Sequence, residues 1–289
     1  RVALALAAER GLVPHALRVH DVPALDAVAL GLPAAEAPAA DDADAAEALR
    51  AELAAGGAPA GPPWAARVDV GLPAACIVRE AARIGAGLVV LGLKRHGLAD
   101  RALGDNTAAH VMREAPCPVL GVADEGRPPL AGPLAGLPRR VLVGVDFGRT
   151  SVRAAEAALA LLADGGTLVL AYVDASAPTG EADDGAALVH ALGVEAAFAR
   201  LAAELRAAVP AARTATIVCR TVPGRPGHTV ARALLEAADR GRADLIAVAT
   251  QRVSRVVRLV LGSVTAELAR DGRHALLVVP PGPSGAPRT

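Results

Sequence analysis

Aromatic side chains are almost absent from this chain. Phe, Tyr and Trp make up 1% of 289 residues, so the core must be packed from Ala, Val and Leu. The stacked rings by which single-strand nucleic-acid binders hold bases are correspondingly missing. Net charge is absent too: 30 Lys+Arg cancel 30 Asp+Glu, so no overall field draws the chain to nucleic acid or to an anionic membrane. Cysteine is scarce. Cys76, Cys117 and Cys219 lie far apart without metal-ligand spacing, which fits a reducing cytoplasm with thiols as small core residues. No apolar run approaches the ~18 residues of a membrane span. The chain has no His-Glu-x-x-His or Cys pair for zinc and no Gly-x-Ser-x-Gly elbow for serine hydrolysis. A signal peptide is also missing, and because Arg1 is not a natural start, the natural chain is expected to be longer.

What is present is a duplication. Gly11 matches Gly165 and Val19 matches Val173, both at an offset of 154. Gly71-Leu72-Pro73 matches Gly224-Arg225-Pro226 at 153, Ala86 matches Ala243 at 157, and Gly104 matches Gly262 at 158. Small drifts of this kind are what loop-length changes between duplicated domains produce. In the second copy, apolar runs predict strands over 141–145, 167–173, 214–222, 244–249 and 275–279. Helical spacing predicts helices over 151–163, 186–208, 228–240 and 263–271. The first copy repeats the order, with strands near 13–19, 66–70, 88–91 and 119–122 and a helix over 45–54. Continuous apolar strands alternating with amphipathic helices point to an α/β fold, a doubly wound parallel sheet covered on both faces.

The organisation read from these landmarks is a domain over 1–122, a Gly- and Pro-rich linker over 123–138, a second domain over 139–281 and a disordered tail over 282–289. Arg1 corresponds to Ala155, and 155 − 141 leaves about 14 residues missing from the first domain. That domain is therefore expected to lack its first strand. The two final strands, near 119–122 and 276–279, are expected to pair with each other and hide two sheet edges.

On these residues the chain resembles the universal stress protein family in its tandem two-domain form. The resemblance is carried by Val141-Leu142-Val143-Gly144-Val145-Asp146-Phe147, the Gly71-x-Pro73 and Gly224-x-Pro226 turns, Ala115-Pro116-Cys117-Pro118-Val119-Leu120, and Leu261-Gly262-Ser263-Val264. It implies two Rossmann-like domains with sheet order 3-2-1-4-5, last strands paired within the chain as a pseudo-dimer, and further oligomerisation left open. In nucleotide-binding members a Gly-x-x-Gly, nine-residue, Gly-Ser/Thr loop brings backbone amides to a triphosphate, and the hydroxyl residue opens a helix whose positive end faces the anion. The resemblance assigns the adenosine part to Asp146 and Val173.

The loops are only partly kept. In the second copy Ala249 and Arg252 stand where the two loop glycines belong, while Gly262, Ser263 and Val264 agree. Arg252, Arg255 and Arg258 supply charge for phosphate oxygens from another direction. In the first copy Gly92 and Gly104 remain, the other motif glycine is lost, and Asp105 replaces the hydroxyl residue. A carboxylate there caps a helix but repels a phosphate. Lys94, Arg95 and His96 partly offset it. The plain alternatives are that Ser263 only caps its helix and that Asp146 only caps the turn that follows it.

The expected function is a cytoplasmic, non-enzymatic stress-response protein. Weakened binding of an adenine nucleotide (ATP) in the second domain would use Asp146, Val173, Arg252, Arg258, Gly262, Ser263 and Val264. A nucleotide-free module that docks an unidentified protein partner and a weak ATPase are the alternatives. No nucleic-acid or membrane partner and no metal are expected.

Overall fold

The computed structural model describes residues 2–20, 43–55, 65–93, 107–123, 134, 136–174, 184–250 and 262–280. The first copy runs α1 (Val2–Arg10), β1 (His15–His20), α2 (Ala43–Ala55), β2 (Ala65–Val70), α3 (Pro73–Arg83), β3 (Val89–Leu93), α4 (Thr107–Glu114) and β4 (Val119–Ala123). The second runs β5 (Arg140–Gly144), α5 (Arg149–Leu161), β6 (Thr167–Asp174), α6 (Asp184–Ala208), a 3-10 turn (Pro210–Arg213), β7 (Thr216–Pro223), α7 (Val230–Gly241), β8 (Leu245–Ala249), α8 (Ser263–Asp271) and β9 (Ala275–Val279).

Seven strands form one sheet in the order β3-β4-β9-β8-β5-β6-β7. Within the second copy this is β7-β6-β5-β8-β9, all parallel, the expected 3-2-1-4-5 order. Strand alternation sorts the core onto the two faces. Val141 and Val143 pack with Leu168, Leu170, Leu277 and α5, whereas Leu142 packs with Ile246, Leu276, Val278 and α7. Each fully buried leucine of this kind contributes roughly 1.5–3 kcal/mol. β4 joins β9 antiparallel, with Val119 opposite Val278 and Leu120 opposite Leu277. The two final strands thus pair as expected, and both domains share one sheet.

The first copy is split. β1 and β2 form a separate parallel pair, and among the described residues no strand lies between β1 and β3, although β5 fills the equivalent place between β6 and β8. The copies still share turn chemistry: Gly71 N–H donates to His20 O at 3.0 Å and Gly224 N–H to Asp174 O at 2.7 Å. Three expected boundaries shift. β1 begins at His15, immediately after Pro14, which has no N–H for a ladder. Residues 210–213 wind into the 3-10 turn, so β7 begins at Thr216. β3 continues through Gly92, which pairs with Val122 and so belongs to the strand instead of opening a loop. The described part of the linker is packed, since Leu134 and Leu137 lie against the core and Leu137 N–H donates to Glu9 Oε1 at 3.4 Å.

One buried histidine makes the fold pH-sensitive. His274, 4% exposed at the start of β9, has Nε2 3.2 Å from Asp239 Oδ1. Arg273 bridges Asp239 at 3.2 Å and Asp271 at 3.0 Å. Burial pushes the imidazole below its ordinary value; Asp239 and Asp271 oppose this and Arg273 adds to it. The fold therefore prefers neutral His274. Its contribution is complete above the unfolded value near 6.5 and is lost as pH falls from there through the lower folded value. Acidification from pH 7 to pH 5 should lower the melting temperature more in the parent than in His274→Gln, measured by thermal unfolding.

Candidate functional site

The site begins where β5 stops. Its apolar residues are buried on both faces, Val141 and Val143 on one and Leu142 on the other, and the chain reaches the carboxyl edge of the sheet at Asp146. β5 leads to a helix on one face and β8 to a helix on the other, so the crevice between them is the topological switch point at which ligands bind in such folds. Asp146 Oδ1 accepts from Gly148 N–H at 2.9 Å. This tight turn puts Phe147 in the left-handed region at φ 58, a conformation that costs a bulky residue about 1–2 kcal/mol. The turn-capping role of Asp146 is therefore real, and it also fixes the carboxylate at the cleft.

Gly148 is the N-cap of α5 and Gly262 the N-cap of α8. Glycine has no side chain to satisfy the orphan amides of a first helical turn. Ser263 is the first helical residue, not the cap, which corrects the plain reading of Ser263 as a capping side chain. The first intrahelical bond of α8 runs from Ala266 N–H to Gly262 O at 2.9 Å. By contrast, α7 has a side-chain cap. Thr229 Oγ1 accepts from Arg232 N–H at 3.1 Å and donates to Glu267 Oε1 at 2.8 Å, tying α7 to α8. Thr229→Ala should cost about 1 kcal/mol or slightly more in urea unfolding, because a cap and a helix-helix bond are lost together.

Between these elements lies a cleft of about 440 Å³, within the range of small-molecule sites. Asp146, Val173, Gly262, Ser263 and Val264 all line it. Arg252 and Arg258 lie outside the described residues, as do Arg255 and, in the first copy, Lys94, Arg95, His96, Gly104 and Asp105.

Sequence reasoning missed several lining groups. Val230 and Leu234 of α7 contribute apolar surface. Gly144 permits this: a Cβ there would stand 3.0 Å from Leu234 Cδ1 and 3.4 Å from Val248 Cγ1. Thr150, Ser151, Thr250 and Thr265 also line it, as do Ala171 and Tyr172 of β6. The Ser151 hydroxyl donates to Gly148 O at 2.8 Å. Thr250 N–H donates to Val279 O at 2.9 Å, fixing the end of β8 against β9. Thr250 was findable, because it directly follows a strand at the carboxyl edge.

Other chemistry has little footing among the described residues. They contain no cluster of His, Cys, Asp or Glu able to hold a metal, and no helix long and apolar enough to cross a membrane. Burial pushes the Cys76 and Cys117 thiols up, away from the reactive thiolate.

The fold has counterparts among solved structures. Over 97% of this chain it matches 90% of a universal stress protein from Archaeoglobus fulgidus DSM 4304, with a TM-score of 0.59 and 17% identity. It matches a functionally unknown protein from Pseudomonas aeruginosa PAO1 over 95% of both chains, with a TM-score of 0.50 and 15% identity. Half of the chain (50%) aligns with 98% of a universal stress protein solved in complex with cAMP, at 27% identity and a TM-score of 0.37. No curated protein matches the sequence. The model of the universal stress protein family matches residues 1–123 and again 138–280. With both copies matched, the chain belongs to the universal stress protein family, in tandem two-domain form.

Proposed function

We propose that this chain is a cytoplasmic stress-response protein that binds an adenine nucleotide in the cleft of its second domain and does not turn it over. One observation carries the reading: Asp146, Val173 and the Gly262-Ser263-Val264 turn, far apart in sequence, line one cleft at the switch point of the sheet. Asp146 and Val173 hold the adenosine part. The first amides of α8 take phosphate oxygens, aided by the positive end of the helix. Arg252 and Arg258 supply the charge that replaces the lost loop-glycine amides. Binding without turnover is supported by the described lining, which offers no His, Lys or Cys and a single carboxylate, Asp146, assigned here to the adenosine part.

Freshly purified protein, precipitated with acid and analysed by chromatography, should release adenine nucleotide at up to about one per chain. Protein that releases none, and takes up none from added ATP, would favour the nucleotide-free interaction module. Conversion of added ATP to ADP would favour the ATPase.

A further inference from the structure

The described residues bury six polar or charged side chains: Asp69, Glu80, Ser151, Thr250, Thr265 and His274. Five of them face partners. Arg79 bonds Asp69, Arg83 bonds Glu80, and Nε2 of His274 stands 3.2 Å from Asp239. The Ser151 hydroxyl donates to Gly148 O at 2.8 Å and the Thr250 hydroxyl to Val279 O at 3.4 Å. Thr265 differs. It is 2% exposed, and its hydroxyl has no hydrogen-bond partner among the described residues.

A sealed hydroxyl without a partner gives up its hydrogen bonds to water and gains none in return, so such groups are rare. Sealed, unpartnered atoms do occur here, at Arg67 Nε and His274 Nδ1 for example, but Thr265 Oγ1 is not one of them. The small area that Thr265 leaves open therefore includes its hydroxyl, and the cavity this residue lines is the cleft. Its position adds a direction. Thr265 is the third residue of α8, and the first intrahelical bond of that helix begins at Ala266 N–H. The amides of residues 263–265 thus lack helical acceptors, and the hydroxyl stands with them at the positive end of the helix. A set of donors of this kind suits an anion with several oxygens, not a flat apolar ring.

We propose that Thr265 is a ligand-binding residue whose hydroxyl donates to a phosphate oxygen of the bound nucleotide, alongside the first amides of α8. This rests on the adenine-nucleotide reading of the same cleft and adds a side-chain donor to its phosphate end. In the free protein the hydroxyl is held without a protein partner, so binding supplies a bond that folding leaves unmade. Serine keeps the donor, whereas valine keeps the shape without it. The two substitutions therefore separate bonding from packing.

Calorimetric titration of the full chain with ATP, adenosine and tripolyphosphate tests this, together with thermal unfolding of each protein alone. Thr265→Val should bind ATP and tripolyphosphate about tenfold more weakly than the parent, the usual scale of one hydrogen bond to a charged group. It should bind adenosine equally well. Without ligand it should melt at or above the parent temperature, because a buried hydroxyl that lacks a protein partner is exchanged for a methyl group. Thr265→Ser should keep the parental ATP affinity. A Thr265→Val variant with parental affinity for ATP, or one that loses adenosine in the same proportion, overturns the role of Thr265 and leaves the cleft reading intact. A free variant that melts well below the parent makes the hydroxyl structural and overturns that role as well. A parent that binds neither adenosine nor ATP overturns both.

Discussion

Ser263→Asp is expected to weaken ATP binding about 30-fold or more while leaving the protein folded. In the parent, the first turn of α8 presents backbone amides after a glycine cap, beside the cleft. A helix end of this kind favours an anion by up to ~2 kcal/mol, and ~1.4 kcal/mol is tenfold in affinity. A carboxylate at Ser263 takes that interaction for itself and repels the phosphates as well. The same carboxylate suits the helix, since acidic residues stabilise a first turn by about 0.3–1 kcal/mol. Binding and folding therefore move in opposite directions. Calorimetric titration should show the loss of affinity, and thermal unfolding an unchanged or slightly raised melting temperature. Equal ATP affinity in both proteins would mean that the turn only starts a helix. The substitution copies Asp105, which stands at the matching position of the first copy.

The second large effect is expected in the first domain. Glu80 of α3 is 4% exposed and faces β1 and β2. Arg83 binds it through two bonds of 2.7 Å. His15 Nε2 lies at 3.0 Å and Arg67 Nη1 at 3.5 Å. The half-exposed Arg83 can return to water when the carboxylate is removed. The His15 and Arg67 side chains are 18% and 24% exposed and have less access to it. Breaking a buried ionic group by removing one member typically costs about 3–5 kcal/mol. Glu80→Leu should fall near the lower end, about 3 kcal/mol in urea unfolding, because these partners keep some water. Glu80→Gln should cost less, since it can still accept hydrogen bonds.

The pH dependence of Glu80 has a definite sign. Arg83 hydrogen bonding holds its carboxyl below the ordinary value, helped by Arg67 and His15 and opposed by burial. Its contribution is therefore full above about pH 4.5 and disappears as pH falls through the lower folded value. A parent whose acid unfolding midpoint equals that of Glu80→Leu would contradict this account of the cluster.

How much of this was legible in the sequence depended on the range of the forces involved. β5 and β9 announce themselves, because strands buried on both faces need unbroken apolar runs. The order of the second domain was implied by the family resemblance, and the β4–β9 seam by that resemblance together with the need to cover exposed edges. Local competition moved the boundaries: Pro14 delays β1, and the 3-10 turn at Pro210 delays β7. Of the cleft, the residues that border strand ends and glycine turns were legible, namely Asp146, Val173 and Gly262 to Val264. Leu234, Val230 and Thr150 were not, because helix packing alone brings them to the crevice.

Hydrogen–deuterium exchange with and without ATP tests the central claim most directly. The orphan amides at the starts of α5 and α8 lack helical partners and exchange fast in the free protein. ATP bound as proposed should slow exchange in the peptides spanning 144–151 and 262–266, with Val173 at the edge of the protected region. Exchange that stays unchanged in both segments at saturating ATP, or slows only elsewhere in the chain, would contradict the assignment of the nucleotide to the second-domain cleft.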